Sequence, residues 1–264
     1  MATIDVGGSV IGYAVDGPDD GIPLLLFHGT TMNRMAWDMV RPAMKGPYRF
    51  VMVEFPGSGE SAMPAGPLTV AGLAADGLAV MDSLGIGRFH VAGYSLGAVV
   101  ALGVAAIAPD RVVSVTSLCG WAVTDARMKF TFDLWKRLIA ADPELFMRYA
   151  VADGFTMNTI AALGPMLGDV ISVGAASLAP GSVAHLELDE LVDMSDQLVD
   201  ITSPALIIGG IEDRWVDISH SRLLAKGIRG AHLEELPAGH LVIQELPAEI
   251  ARLIDAHVAG ATRA

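Results

Sequence analysis

Cysteine is nearly absent from this chain. Its 264 residues hold one, Cys119, so no internal disulfide can form, and the apolar strand-like setting of Cys119 predicts a buried structural thiol in a reducing compartment. Positive charge is also scarce: 17 Lys and Arg stand against 30 Asp and Glu, a formal net charge of −13. That balance argues against nucleic acid or an anionic membrane as a partner. Met1 to Gly12 has no basic segment followed by an apolar run, so a cytoplasmic location is expected. No His, Cys and carboxylate cluster shows metal-ligand spacing, and no glycine-rich phosphate loop opens the first helix, so no metal and no other cofactor is implied. Internal repeats and low-complexity segments are missing as well.

Apolar material, in contrast, is plentiful. Hydrophobic residues make up 52% of the chain and mean hydropathy is +0.49, enough for one large core, and the length suits a single α/β unit. The run from Val91 to Ala108 is long enough to pass for a membrane helix. Gly93, Ser95, Gly97 and Gly103 instead divide it into a strand, a turn and a closely packed helix that Pro109-Asp110 ends. Strands are expected at 3–6, 9–15, 23–28, 49–55, 88–94, 112–119, 204–210 and 231–236. Helices are expected at about 33–44, 69–84, 95–108, 218–227 and 245–258. Continuous Val, Ile and Leu runs imply strands buried on both faces, hence an α/β fold with a mostly parallel eight-stranded sheet flanked by helices.

The alternation fails between 121 and 201, which reads as helical pieces separated near Asp142-Pro143, Gly154, Gly164-Pro165, Gly168 and Pro180-Gly181. This gives a core of 1–120 and 202–264 with a helical lid, 121–201, inserted after the sixth strand. A lid over the carboxyl edge of the sheet would exclude water and line a pocket. Its cations Arg127, Lys129, Lys136, Arg137 and Arg148 are candidates to hold a substrate carboxylate, although a solvated helix face is the commoner role for such residues.

Gly93-Tyr94-Ser95-Leu96-Gly97 lies between a strand-like run and a small-residue apolar helix. In that context G-x-S-x-G is a nucleophile elbow: the glycines permit a sharp strand-to-helix turn that lifts the Ser95 hydroxyl out of the sheet. A serine needs an imidazole to take its proton and a carboxylate to orient that imidazole. Asp213, at the end of Pro204-Ala-Leu-Ile-Ile-Gly-Gly-Ile-Glu-Asp213, and His240, in Leu236-Pro-Ala-Gly-His240, follow in the order acid then base, each after a strand. Glu212 and Asp217 flank Asp213, whose strand-end placement favours it. His90, His185, His220, His232 and His257 occupy strand-start, lid or helix contexts that suit a base less well. For the oxyanion, Leu96 N–H follows the nucleophile, and Thr30 N–H, after the apolar strand ending in His28-Gly29, is the second candidate donor. His28 is expected to order that loop. Tyr94, Met32, Trp135, Phe146 and Leu241 are the candidate substrate contacts.

These motifs, with the Phe55-Pro56-Gly57-Ser58-Gly59-Glu60-Ser61 turn, span nearly the whole chain, which resembles the α/β-hydrolase superfamily. Within it the chain is similar to small bacterial lid-bearing hydrolases that include 3-oxoadipate enol-lactonases, carboxylesterases and perhydrolases. Two departures are Glu54, where these proteins commonly carry Asp, and Ala98, where glycine is frequent after the elbow. The resemblance implies a serine hydrolase cleaving a small-to-medium, partly apolar ester, lactone or thioester through an acyl-enzyme, as monomer or homodimer with a small-molecule substrate. Perhydrolysis, C–C bond hydrolysis, cofactor-free oxygenation or ligand sensing on the same scaffold stay open, since fold does not decide chemistry. A hydroxynitrile lyase is disfavoured, because Leu241 stands where those enzymes place lysine.

Overall fold

Apolar runs pair as an eight-stranded sheet in the computed structural model, which describes residues 2–262. The strands are β1 (Ala2–Val6), β2 (Ser9–Asp16), β3 (Ile22–Phe27), β4 (Tyr48–Val53), β5 (Phe89–Tyr94), β6 (Val112–Leu118), β7 (Ala205–Gly210) and β8 (His232–Leu236). Their spatial order is β1-β2-β4-β3-β5-β6-β7-β8. β2 pairs antiparallel with both β1 and β4, and the remaining pairings are parallel. Side chains alternate across the pleat: Leu25 and Phe27 enter one core with Val91, and Leu24 and Leu26 enter the other with Ala92 and Tyr94. Two buried faces explain why β5 and β7 carry no solvent-facing residue.

Helices α1 (Val70–Ser83) and α2 (Leu96–Ile107) cover the first face. Leu96 through Ala105 are all buried, so the apolar run read from the sequence is core helix preceded by strand and turn. Between β6 and β7 come α3 (Ala126–Ala141), α4 (Pro143–Gly154), α5 (Met157–Leu163), α6 (Leu167–Ala176) and α7 (Ser182–Asp189). Their starts are capped as the chemistry of short polar residues demands: Asp125 accepts from Met128 N–H, Asp142 from Glu144 N–H, and Thr156 from Thr159 N–H. α8 (Ile218–Gly227), α9 (Val242–Glu245) and α10 (Pro247–Thr262) complete the chain, and Ile250, Ile254 and Val258 of α10 enter the second core.

Three boundaries depart from the sequence reading. The helix expected at 33–44 is two 3₁₀ turns, Arg34–Trp37 and Arg41–Ala43; Pro42 lacks the N–H that a continuous helix would need, and Met44 is already extended. The helix expected at 245–258 is split at Pro247, which begins α10. The break expected near Gly164-Pro165 is present as a 3₁₀ turn, Gly164–Met166, whereas the further break expected near Gly168 is not, since Gly168 lies inside α6. Met157–Ala176 is the one stretch among the described residues long and apolar enough to cross a membrane by length and composition, with a mean hydropathy of 1.5; here it is α5 and α6, mostly uncovered.

Gly97 marks where α2 crosses β3. A Cβ there would overlap the carbonyl oxygens of Phe27 and His28. Gly97→Ala is expected to destabilise the fold by about 1–3 kcal/mol, the usual penalty for overpacking a rigid core, measured as a lower urea midpoint at unchanged slope.

Candidate active site

β5 ends at Tyr94 and α2 begins at Leu96, so the reversal falls on one residue. Ser95 has φ 56° and ψ −121°, a conformation costly for a residue with a Cβ. Its N–H donates to Leu118 O at 2.9 Å, and its own carbonyl accepts from Ala98 N–H at 2.9 Å. A Cβ on Gly93 would overlap Gly97 O, which explains the glycine at that end of the motif.

The loops after β7 and β8 bring the acid and the imidazole to this turn. His240 Nε2 lies 2.9 Å from Ser95 Oγ, and His240 Nδ1 lies 2.7 Å from Asp213 Oδ2. Asp213 Oδ1 accepts from Trp215 N–H at 2.8 Å and Val216 N–H at 2.9 Å. With Nδ1–H facing the carboxylate, Nε2 is left to accept the serine proton. The flanking acids are elsewhere: Glu212 is exposed, and Asp217 caps α8 through Ser219 N–H. The other histidines have separate partners: His90 with Ser114, His185 with Pro56 O, His220 with Asp125, and His232 with Glu234. His257 lies on α10.

The loop after β3 passes in front of Ser95. Gly29, Thr30, Thr31 and Met32 line the same cavity as Ser95 and His240. Among the described residues, no protein acceptor takes the Thr30 or Leu96 N–H. Beneath the loop, His28 donates through Nδ1 to Gly29 O at 2.8 Å and accepts Phe55 N–H on Nε2 at 3.1 Å. Burial lowers its pKa to about 3, so it is a neutral strut. Glu54, one residue before Phe55, accepts Glu60 N–H at 2.7 Å and holds the following turn.

The cavity above Ser95 has a volume of about 510 Å³, within the range of small-molecule sites. Its walls include all five expected contacts, Tyr94, Met32, Trp135, Phe146 and Leu241. Leu96 itself is buried in the core and offers the cavity no side chain. Trp215, Val151, Phe155, Val170 and Val173 also line it. Of these, Phe155 is an apolar residue of the expected lid, while Trp215, two positions after Asp213, was not singled out.

A family model described as "Alpha/beta hydrolase family" matches residues 24–253. The chain belongs to the α/β-hydrolase family. A relative named pyrrolizixenacetamide deacetylase, from Xenorhabdus hominickii, is 31% identical over 261 residues, covering 96% of each chain. The crystal structure of a hydrolase from Pseudomonas aeruginosa PA01 superposes with a TM-score of 0.85 at 26% identity, over 97% of each chain. The enol-lactonase from Burkholderia xenovorans LB400 superposes at 0.86 with 22% identity, over 98% of this chain and all of that one. Hydrolytic activity accords with the family and with the first two; the third shows the shared fold.

Around this α/β-hydrolase site lie three further residues: Cys119, buried as its apolar setting predicts, and Glu245 and Asp189, which pattern alone did not single out. Cys119, at φ 51°, sits beside the acid: its sulfur, an Asp213 oxygen and a His240 nitrogen all lie within 4.8 Å of one another. That trio is close enough to share a metal ion, although sequence spacing suggested no such cluster; Asp213 and His240 are already hydrogen-bonded to each other. Burial, then the Asp213 charge, pushes the thiol pKa up. Glu245 ties the histidine loop to the helical insertion, accepting Gly239 N–H at 2.6 Å on one oxygen and Thr156 N–H at 2.9 Å on the other.

The third is Asp189, at the end of α7. It is 1% exposed, and Thr30 Oγ1 lies 2.6 Å from its Oδ2, while Oδ1 is buried without a partner. Burial raises its pKa to about 8. The unfolded chain therefore loses this proton near pH 4 while the folded one keeps it to about pH 8, so this group's contribution to stability falls as pH rises through that interval. Asp189→Asn, which keeps an acceptor for Thr30 without titrating, is expected to gain on the parent by up to about 1.4 kcal/mol per pH unit across it. Urea unfolding of both proteins at pH 5 and pH 8 measures the difference; parallel pH dependence would show that Asp189 is ionised in the fold.

Proposed function

We propose that this chain is a serine hydrolase of ester-type acyl bonds, with Ser95 as nucleophile, His240 as general base and acid, and Asp213 orienting the imidazole. The observation that carries this reading is the unbroken hydrogen-bond chain from Asp213 through His240 to Ser95, opening on an apolar cavity. His240 Nε2 takes the Ser95 proton as Oγ attacks the substrate carbonyl, and the imidazolium that forms faces the Asp213 carboxylate. The tetrahedral oxyanion is held by Thr30 and Leu96 N–H, each donor worth about 2.7–4 kcal/mol in comparable sites. His240 then protonates the leaving group. A water deprotonated by the same nitrogen attacks the acyl-enzyme, and collapse of the second tetrahedral intermediate releases the acid and restores Ser95.

The segment 121–201 acts in this scheme as the lid. Trp135, Phe146 and Val151 give the substrate an apolar wall and keep bulk water from the acyl-enzyme. Small-to-medium esters, lactones and thioesters fit a cavity of about 510 Å³. Likeness to a relative named for deacetylation of an acetamide supports a second reading, cleavage of an N-acetyl amide by the same residues; the leaving group is then an amine that His240 must protonate.

The test is turnover of p-nitrophenyl esters, simple lactones, acyl thioesters and aryl acetamides by the parent and by Ser95→Ala. The parent should hydrolyse members of the panel and give a Ser95 acyl adduct in the mass spectrum. Ser95→Ala should lose on the order of 10⁴-fold or more in kcat with no adduct. Folded parent protein without turnover or adduct would overturn the reading, and acetamides outpacing matched esters would favour the second.

A further inference from the structure

We infer that the cavity selects an uncharged acyl group and rejects substrates that carry a carboxylate away from the scissile bond. The inference rests on the serine-hydrolase reading and adds the charge of the substrate to it. Among the described residues lining the cavity there is no lysine or arginine, and His240, whose two nitrogens face Asp213 and Ser95, is the one histidine.

The cations that might have served are turned elsewhere. Lys136 pairs with Glu190 at 2.7 Å, Arg137 with Asp133 at 2.8 Å, and Arg148 with Glu144 at 2.6 Å. Arg127 and Lys129, on the first turns of α3, are absent from the wall. Arg214 is next to Asp213 in the chain, yet its guanidinium reaches the Ala152 carbonyl and Asp153.

The fixed groups that do approach the cavity are of the opposite sign. Asp169 of α6 is on the wall, and Asp213 lies directly behind His240. A distal substrate carboxylate would exchange water for Trp135, Phe146, Val151 and Val170 with no cation to offset its desolvation. An ester or alkyl group of the same length meets no such penalty, and the aliphatic and aromatic wall favours it.

The experiment compares 4-nitrophenyl methyl adipate with mono-4-nitrophenyl adipate, which differ in one distal methyl ester against a carboxylate. Ser95→Ala supplies the background for each. The expected result is a kcat/KM for the methyl ester on the order of 100-fold above that for the half-ester. Met166→Arg places a cation on the exposed part of the wall, where Met166 is 54% exposed, and should narrow the methyl-ester to half-ester ratio of kcat/KM by roughly tenfold, whatever it does to the absolute rates. Equal kcat/KM for the two parent substrates, within about threefold, would overturn the inference and leave the hydrolase reading standing. Equal loss or gain on both substrates in Met166→Arg would also count against it. No turnover of the methyl ester above the Ser95→Ala background would overturn the hydrolase reading and, with it, this inference.

Discussion

The backbone of Ser95 is the constraint on which the site depends. A residue with a Cβ held at positive φ costs on the order of 1–3 kcal/mol, and persists only where its surroundings leave no alternative. Here β5 runs between β3 and β6, so the strand cannot slide. Leu118 O fixes the Ser95 N–H, and α2 is buried along Leu96 through Ala105, so the helix cannot tilt away. With strand and helix both held, the single residue between them absorbs the reversal. The hydroxyl is thereby aimed at the cavity before any substrate arrives, and the Leu96 N–H is left without a protein acceptor for the same geometric reason.

The remaining parts are anchored to that point from three directions. From β3, neutral His28 bridges Gly29 and Phe55, and stiffens the loop that carries Thr30. From the helical insertion, Asp189 meets the Thr30 hydroxyl, so the loop is held from the outer side as well. From the histidine loop, Glu245 joins Gly239 to Thr156, and Leu241 N–H reaches Gly154 O at 3.1 Å. The junction of α4 and α5 is thus coupled to His240, whereas α6 is mostly uncovered. The two buried carboxyls are built differently. Asp213 accepts three hydrogen bonds, while Asp189 meets one donor and leaves an oxygen orphaned.

Sequence pattern carried the frame and the centre of the site because both depend on local chemistry. Strands such as 204–210 are continuous apolar runs that only a doubly covered sheet can hide, and Gly93 is required by Gly97 one turn away, while Gly97 is required by the crossing carbonyls of Phe27 and His28. Asp213 and His240 were legible because each follows its strand directly. The roles of Glu245 and Asp189 were not, since they arise from partners far off in sequence: Asp189 meets Thr30 across 159 positions; for Cys119 the burial was legible, but not its place beside Asp213. The 3₁₀ turns at 34–43 were misread as one helix because apolar spacing outweighed Pro42. The cavity wall was legible only in part, since periodicity separates buried from exposed faces but not core from cavity; Val170 and Val173 are on the wall, whereas Ile171 is packed into the core.

Electrostatics join the composition of the chain to turnover at the proposed site. Hydrolysis of a neutral ester produces an acid that ionises, so substrate and product differ by one negative charge. A cavity lined with cations would bind the product at least as well as the substrate, and release would then limit the rate. Among the described residues this wall has no Lys or Arg, and it includes Asp169, on a chain of net charge −13. The acyl-enzyme is neutral and stays in an apolar setting that suits it; the carboxylate formed on deacylation does not. On the hydrolase reading, a carboxylate product would therefore meet no cation among the described wall residues to retain it. Lys136, Arg137 and Arg148 are paired with Glu190, Asp133 and Glu144 on their own helices or a neighbour, and Arg127 and Lys129 are absent from the wall.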